Sequence, residues 1–148
     1  MKPILAITVG DMNGIGPEVA LKAIGNLRVR RACTPLLVGP RTVFQHAAKL
    51  VGASGLLAKS TVVELPNLVG ATPKPGSLSQ LAGSVAGNAI SKAVDLVRSG
   101  EADGIVTAPV SKQALHLAGF DVPGQTEMLQ QLTGAPGVAM MLVSQSMK

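Results

Sequence analysis

A chain of 148 residues with 47% apolar side chains can close a hydrophobic core as one domain, or as one lobe of a larger molecule, which excludes an unfolded or linker-like protein. The net charge of +5 comes from thirteen scattered Lys and Arg. With two Phe, no Tyr and no Trp there is almost nothing on which bases could stack, so no nucleic acid is expected as a partner. No apolar run approaches the roughly 20 residues of a membrane span, the single Cys33 cannot form an internal disulfide, and no secretory signal is recognisable, so the expected location is the cytoplasm.

In chain order, strand and helix signals alternate. Ile4 to Val9 is an apolar run that predicts a strand, followed by the turn GDMNGIGPE and a helix over EVALKAIGNL, with Pro17 at its first position. Thr34 to Gly39 (TPLLVG) predicts a second buried strand. Pro40 opens a helix over RTVFQHAAKLVG that Gly52 closes. Thr61 to Leu65 (TVVEL) is a third strand, and PNLVGATPKPGSLSQLAG, with three of the ten prolines, reads as an exposed excursion. From Ser84 the period of 3.6 returns, with Ala86, Ala89, Ile90, Ala93, Val94 and Val97 on one face and Gly100 as the stop. Gly104 to Val110 predicts a fourth strand leading into a helix over KQALHLAGF. TEMLQQLTG forms a short helix, and Val138 to Ser144 a last buried strand, with Met140 and Met141 as core residues.

This alternation predicts an α/β fold with a mostly parallel sheet flanked by helices. Its binding residues should lie in the loops beyond the carboxyl ends of the strands. Three such loops stand out: Gly10 to Glu18, Thr107 to Lys112, and Pro123 to Glu127. In the first, Gly14 and Gly16 permit positive φ and close approach of the backbone to an anion at the helix start. The alternative is a tight turn whose Asp11 and Asn13 cap that helix. The spacing is neither the dinucleotide fingerprint, since position 19 is Val19, nor a P-loop. In the second loop Lys112 either neutralises a phosphate or is a solvated first-turn lysine. In the third, Gln125 and Thr126 stand where a helix begins, with Thr126 as a cap and Glu127 in the first turn as the structural account. His46 and His116 sit on separate helices and make no metal site, and Cys33 reads as buried and inert.

Taken together and in order, GDMNGIGPE, ADGIVTAPVSKQALHLAGF and PGQTEMLQQLTG followed by VAMMLV resemble the first half of the 4-hydroxythreonine-4-phosphate dehydrogenases, over nearly all of the chain. The resemblance implies one lobe of a two-lobed fold related to isocitrate and isopropylmalate dehydrogenases, assembled as a homodimer with its active site between the lobes. It also implies oxidation of 4-phosphooxy-L-threonine with NAD or NADP and a divalent metal (zinc, magnesium or cobalt), in pyridoxal phosphate biosynthesis. The β-keto acid formed would lose carbon dioxide to give 3-amino-2-oxopropyl phosphate. Within it, Gln125 and Thr126 correspond to a substrate-contacting His-Thr pair. Glutamine is a departure from that pattern, because it can donate a hydrogen bond but cannot transfer a proton near neutral pH.

That departure brings in the branch acting on erythronate or threonate 4-phosphate. Family members are roughly twice as long as this chain, with their metal-binding histidines in the second half. The expectation is therefore an amino-terminal portion over residues 1–148 that holds no metal ligand and turns nothing over by itself. A competing expectation is a non-catalytic module that binds a phosphorylated metabolite.

Overall fold

In a computed structural model that describes residues 1–143, four short strands form one parallel sheet in the order β3-β2-β1-β4. The strands are β1 (Ile4–Thr8), β2 (Thr34–Val38), β3 (Val62–Val63) and β4 (Gly104–Val106). Register is fixed by Ala6 opposite Leu36 on one side and opposite Ile105 on the other. The inner end of β1 is sealed: Ala6, Ile7 and Thr8 are buried, as are Leu37 and Val38 of β2. A parallel sheet needs apolar residues on both faces, which is why both strands read as continuous apolar runs.

Helices α1 (Gly16–Gly25) and α3 (Arg41–Leu50) pack against each other on one face, inserting Leu21, Ile24, Val43 and Phe44 into the core. The chain then reverses direction across the sheet, running from edge strand β3 to β4 at the opposite edge. With right-handed crossovers this puts α5 (Gln80–Arg98) on the other face, against β1, β2 and β4. Two glycines of α5 let the following segment come close: a methyl group at Gly83 would collide with the Ala114 carbonyl, and one at Gly87 with the Phe120 ring. That contact places α6 (Lys112–Leu117), and α7 (Gln125–Thr133) docks on α5 through Met128 and Ile90.

Several boundaries differ from the sequence reading. Helix α2 (Leu27–Ala32) is absent from the sequence reading because it buries no residue and so has no apolar period; Asn26 caps it by accepting from Arg28 N at 2.8 Å. The short α4 (Ser54–Ala58) buries Leu57 alone and is equally silent. Helix α5 starts four residues before Ser84, at Gln80, where the Ser79 hydroxyl accepts from Ala82 N at 3.2 Å. Strand β3 shrinks from Thr61–Leu65 to two residues, since it is an edge strand and Glu64 turns away to accept from Arg41 N.

The fourth strand stops at Val106 rather than Val110, because Ala108 N leaves the ladder for the Thr8 hydroxyl and Pro109 has no N–H to donate. Residues 138–143 form no strand. Val138, Met140, Met141, Leu142 and Val143 are exposed, so Met140 and Met141 are not core residues, while Ser144 lies outside the described residues. An apolar run has strand character only when a neighbouring strand is there to pair with it, and none of the described strands lies beside this segment.

Candidate functional site

Strand β1 has β2 on one side and β4 on the other, and the two connections leave in opposite directions. Their carboxyl ends therefore flank the topological switch point, where parallel α/β sheets bind ligands. All three loops singled out from the sequence converge on this end of the sheet, but they do so in different ways.

The turn after β1 is closed upon its neighbour. Asp11 N donates to the Pro109 carbonyl at 2.9 Å, and Ala108 N donates to the Thr8 hydroxyl at 3.1 Å. The positive φ of this turn belongs to Gly10, at 69°, not to Gly14 or Gly16. Gly16 has a different duty: a methyl group there would lie 2.6 Å from the Val9 carbonyl oxygen and 3.1 Å from that of Pro109. Its small size lets α1 begin directly on the strand end. Gly14 is exposed, and a methyl group there would meet Asp11 Oδ2 at an ordinary 3.5 Å. Nor do Asp11 and Asn13 cap α1. The cap position is Ile15, with no side-chain bond, and Pro17 follows Gly16 as the second helical residue.

The second and third loops form a cleft of about 380 Å³, lined by Pro109, Lys112, Gly124, Gln125, Thr126 and Glu127 among others. Helix α7 opens with Gly124 at its cap position, and no side chain caps it. Thr126 is thus the second helical residue and not the cap, which leaves its hydroxyl for the cleft. Uncapped first-turn N–H groups carry the positive end of the helix dipole and favour an anion. Lys112 adds a full charge nearby: a methyl group at Gly124 would stand 3.8 Å from Lys112 Nζ and 3.1 Å from Glu127 Oε2. A cation and a carboxylate thus flank the same N-terminus, and only the carboxylate stands closer than a side chain at Gly124 would ordinarily allow. Among the described residues Arg41 stands 3.6 Å from Glu64 and His116 stands 3.7 Å from Asp121, and Lys112 belongs to neither pair.

Gln125 holds the cleft together. Its Oε1 accepts from the Thr107 hydroxyl at 3.0 Å, and its Nε2 donates to the Ala108 carbonyl at 2.9 Å. One amide thereby fastens the start of α7 to the end of β4, with a single N–H left for a ligand. The sequence contained the signal for this, a hydroxyl residue at a strand end and a carboxamide at a helix start, but not their pairing.

A larger groove of about 500 Å³, lined by Leu5, Ile7, Val19 and Val106 with their neighbours, offers almost no polar atom and so cannot orient a charged ligand. No three metal-ligating side chains converge among the described residues. His46 and His116 are exposed on separate helices, and Cys33 is buried, its Sγ against the Val29 carbonyl.

Residues 31–148 match the family model described as pyridoxal phosphate biosynthetic protein PdxA. The chain is 40% identical to the D-threonate 4-phosphate dehydrogenase of Cupriavidus necator, over 99% of its own length and 47% of that protein's. It is 34% identical to the 4-hydroxythreonine-4-phosphate dehydrogenase of Trichlorobacter lovleyi, over 95% and 46% respectively. The crystal structure of a 4-hydroxythreonine-4-phosphate dehydrogenase from Burkholderia phymatum superimposes with a TM-score of 0.84 at 36% identity, covering 97% of this chain and 47% of that one. The chain thus spans about half the length of the relatives it matches. The parallel sheet, its switch point and the matched residues have one account: this chain belongs to the PdxA family of pyridoxal phosphate biosynthetic proteins.

Proposed function

We propose that residues 1–148 are the amino-terminal portion of a two-lobed dehydrogenase subunit that oxidises 4-phosphooxy-L-threonine, with NAD or NADP, to a β-keto acid that loses carbon dioxide. The observation that supports this most directly is the uncapped start of α7, flanked by Lys112 and Thr126 in one cleft at the carboxyl end of the sheet. It suits a small phosphorylated hydroxy acid, which brings an anion for the helix start and Lys112 and hydroxyl groups for Thr126 and Glu127.

In this reading Lys112 and the α7 backbone bind the anionic group. Thr126 orients the substrate through its hydroxyl, and the Thr107–Gln125–Ala108 tie keeps these groups in fixed relation. The nicotinamide ring supplies the hydride acceptor when bound. A divalent cation (zinc, magnesium or cobalt) and the remaining substrate contacts belong to the second half of the subunit in this proposal, as does assembly into a cytoplasmic homodimer. No helix among the described residues is long and apolar enough to cross a membrane.

A second reading is oxidation of threonate or erythronate 4-phosphate; D-threonate 4-phosphate is the substrate in the names of relatives at 40% and 39% identity. A non-catalytic binding module would use the same cleft. Calorimetric titration of the 148-residue chain with 4-phosphooxy-L-threonine and with D-threonate 4-phosphate separates these, alongside an assay of NAD reduction. Binding of the first, weakened about tenfold in Lys112→Ala, is expected without turnover. Turnover by the 148 residues alone would sink the half-subunit proposal. Preference for D-threonate 4-phosphate would select the second reading, and affinity indifferent to Lys112 would remove the cleft from the argument.

A further inference from the structure

Asn13 is buried to 5% exposure, although it sits in a surface turn and faces a segment whose residues are mostly exposed. Its side chain is fully engaged with that segment. Oδ1 accepts from Lys74 N at 2.7 Å, while Nδ2 lies 2.8 Å from the Ser77 carbonyl and 3.2 Å from the hydroxyl oxygens of both Ser77 and Ser79. The Asn13 carbonyl in turn accepts from Gly76 N at 2.8 Å. Three of the residues bonded to it, Lys74, Gly76 and Ser77, lie in an excursion with no helix or strand of its own, and the fourth, Ser79, is the cap of α5.

The segment has a defined course. At one end Ala71 is bonded to the Thr42 hydroxyl of α3, on one face of the sheet, and at the other Ser79 begins α5, on the opposite face. Residues 72–79 therefore pass over the carboxyl end of the sheet, where Asn13 follows β1. Asn13 is also linked to the α7 cleft: its N–H donates to Asp11 Oδ1 at 2.9 Å, and Asp11 N donates to the carbonyl of Pro109, which lines the cleft.

We propose that Asn13 is a positioning residue, whose buried amide latches residues 72–79 as a strap across the switch point and so fixes one wall of the substrate crevice. The proposal builds on the α7 cleft as the substrate site. An amide suits the task because it accepts from one part of the strap and donates to another, which neither a carboxylate nor an aliphatic side chain can do. The strap buries little apolar surface of its own, so these hydrogen bonds decide whether it is held.

Amide hydrogen exchange on the 148-residue chain tests the latch without any ligand. In Asn13→Ala the Lys74 and Gly76 amides are expected to exchange at least about tenfold faster, with Leu37 in the sheet unchanged. Asn13→Asp, which keeps the acceptor, should retain protection at Lys74. The affinity for 4-phosphooxy-L-threonine should fall about fivefold or more in Asn13→Ala, with Asn13→Asp in between. Unaltered exchange at Lys74 overturns the latch, as does unfolding of Asn13→Ala throughout. A released strap with unchanged affinity overturns its link to the crevice. Should the parent chain bind none of the ligand, the α7 cleft fails as a substrate site in its own right, while the exchange data still decide the latch.

Discussion

The turn after β1 and the start of α7 are both glycine-containing entries to helices at the same end of the sheet, yet they are opposite in chemistry. In the first, the backbone is consumed internally: Asp11 N is bonded to Pro109, and Gly10 and Gly16 exist to let two main chains touch. In the second, no side chain caps the helix at Gly124, and Lys112 and Glu127 stand beside it. A glycine-rich turn is evidence of close approach, and what approaches can be the protein itself. The quieter segment, with one glycine and a carboxamide, is the one left with unspent hydrogen-bonding groups.

That contrast assigns a large stability cost to the closed turn. Gly10→Ala puts a side chain at φ 69° and a methyl carbon 2.5 Å from the Pro109 oxygen, so the loss should be about 3 kcal/mol in urea unfolding. A loss below about 1 kcal/mol would mean that the two loops can part freely, and the turn would then be as open as the cleft. On the other side, Gln125→Ala removes two hydrogen bonds from a half-buried site and should cost about 1–2 kcal/mol. An unchanged unfolding midpoint would show that Thr107 and Ala108 find water as readily as they find Gln125, and that α7 is placed by its contact with α5 alone.

The sheet was readable because its strands are apolar runs bounded by Gly and Pro, and α3 and α5 because each buries a periodic face. The elements that leave no mark in the sequence share a physical character. Helix α2 buries nothing, α4 buries one leucine, and Ser79, the cap of α5, lies upstream of the first periodic residue, with the exposed Leu81 between them. Lys112, Gln125 and Thr126 line one cleft because helix starts after parallel strands must collect at one end. The pairing of Gln125 with Thr107, and of Asn13 with Lys74 and Ser77, joins residues distant in sequence. Local pattern carries no record of such a meeting. The run Val138 to Val143 failed as a strand for the converse reason: apolar content is a demand for cover, and no described strand meets it.

The smallest expected change separates packing from binding within the opening turn. Gly14 is exposed, its φ is not positive, and a methyl group would meet Asp11 Oδ2 at 3.5 Å, so Gly14→Ala should alter stability by less than about 0.5 kcal/mol. Its neighbour two residues on is the internal control, because Gly16→Ala must displace the Val9 carbonyl and should cost about 2 kcal/mol in the same assay. If the turn serves the crevice only as a wall, the affinity of Gly14→Ala for 4-phosphooxy-L-threonine will equal that of the parent. A selective fall in affinity at unchanged stability would instead put Gly14 in contact with ligand, and the turn would then have a face toward the crevice as well as one toward Pro109.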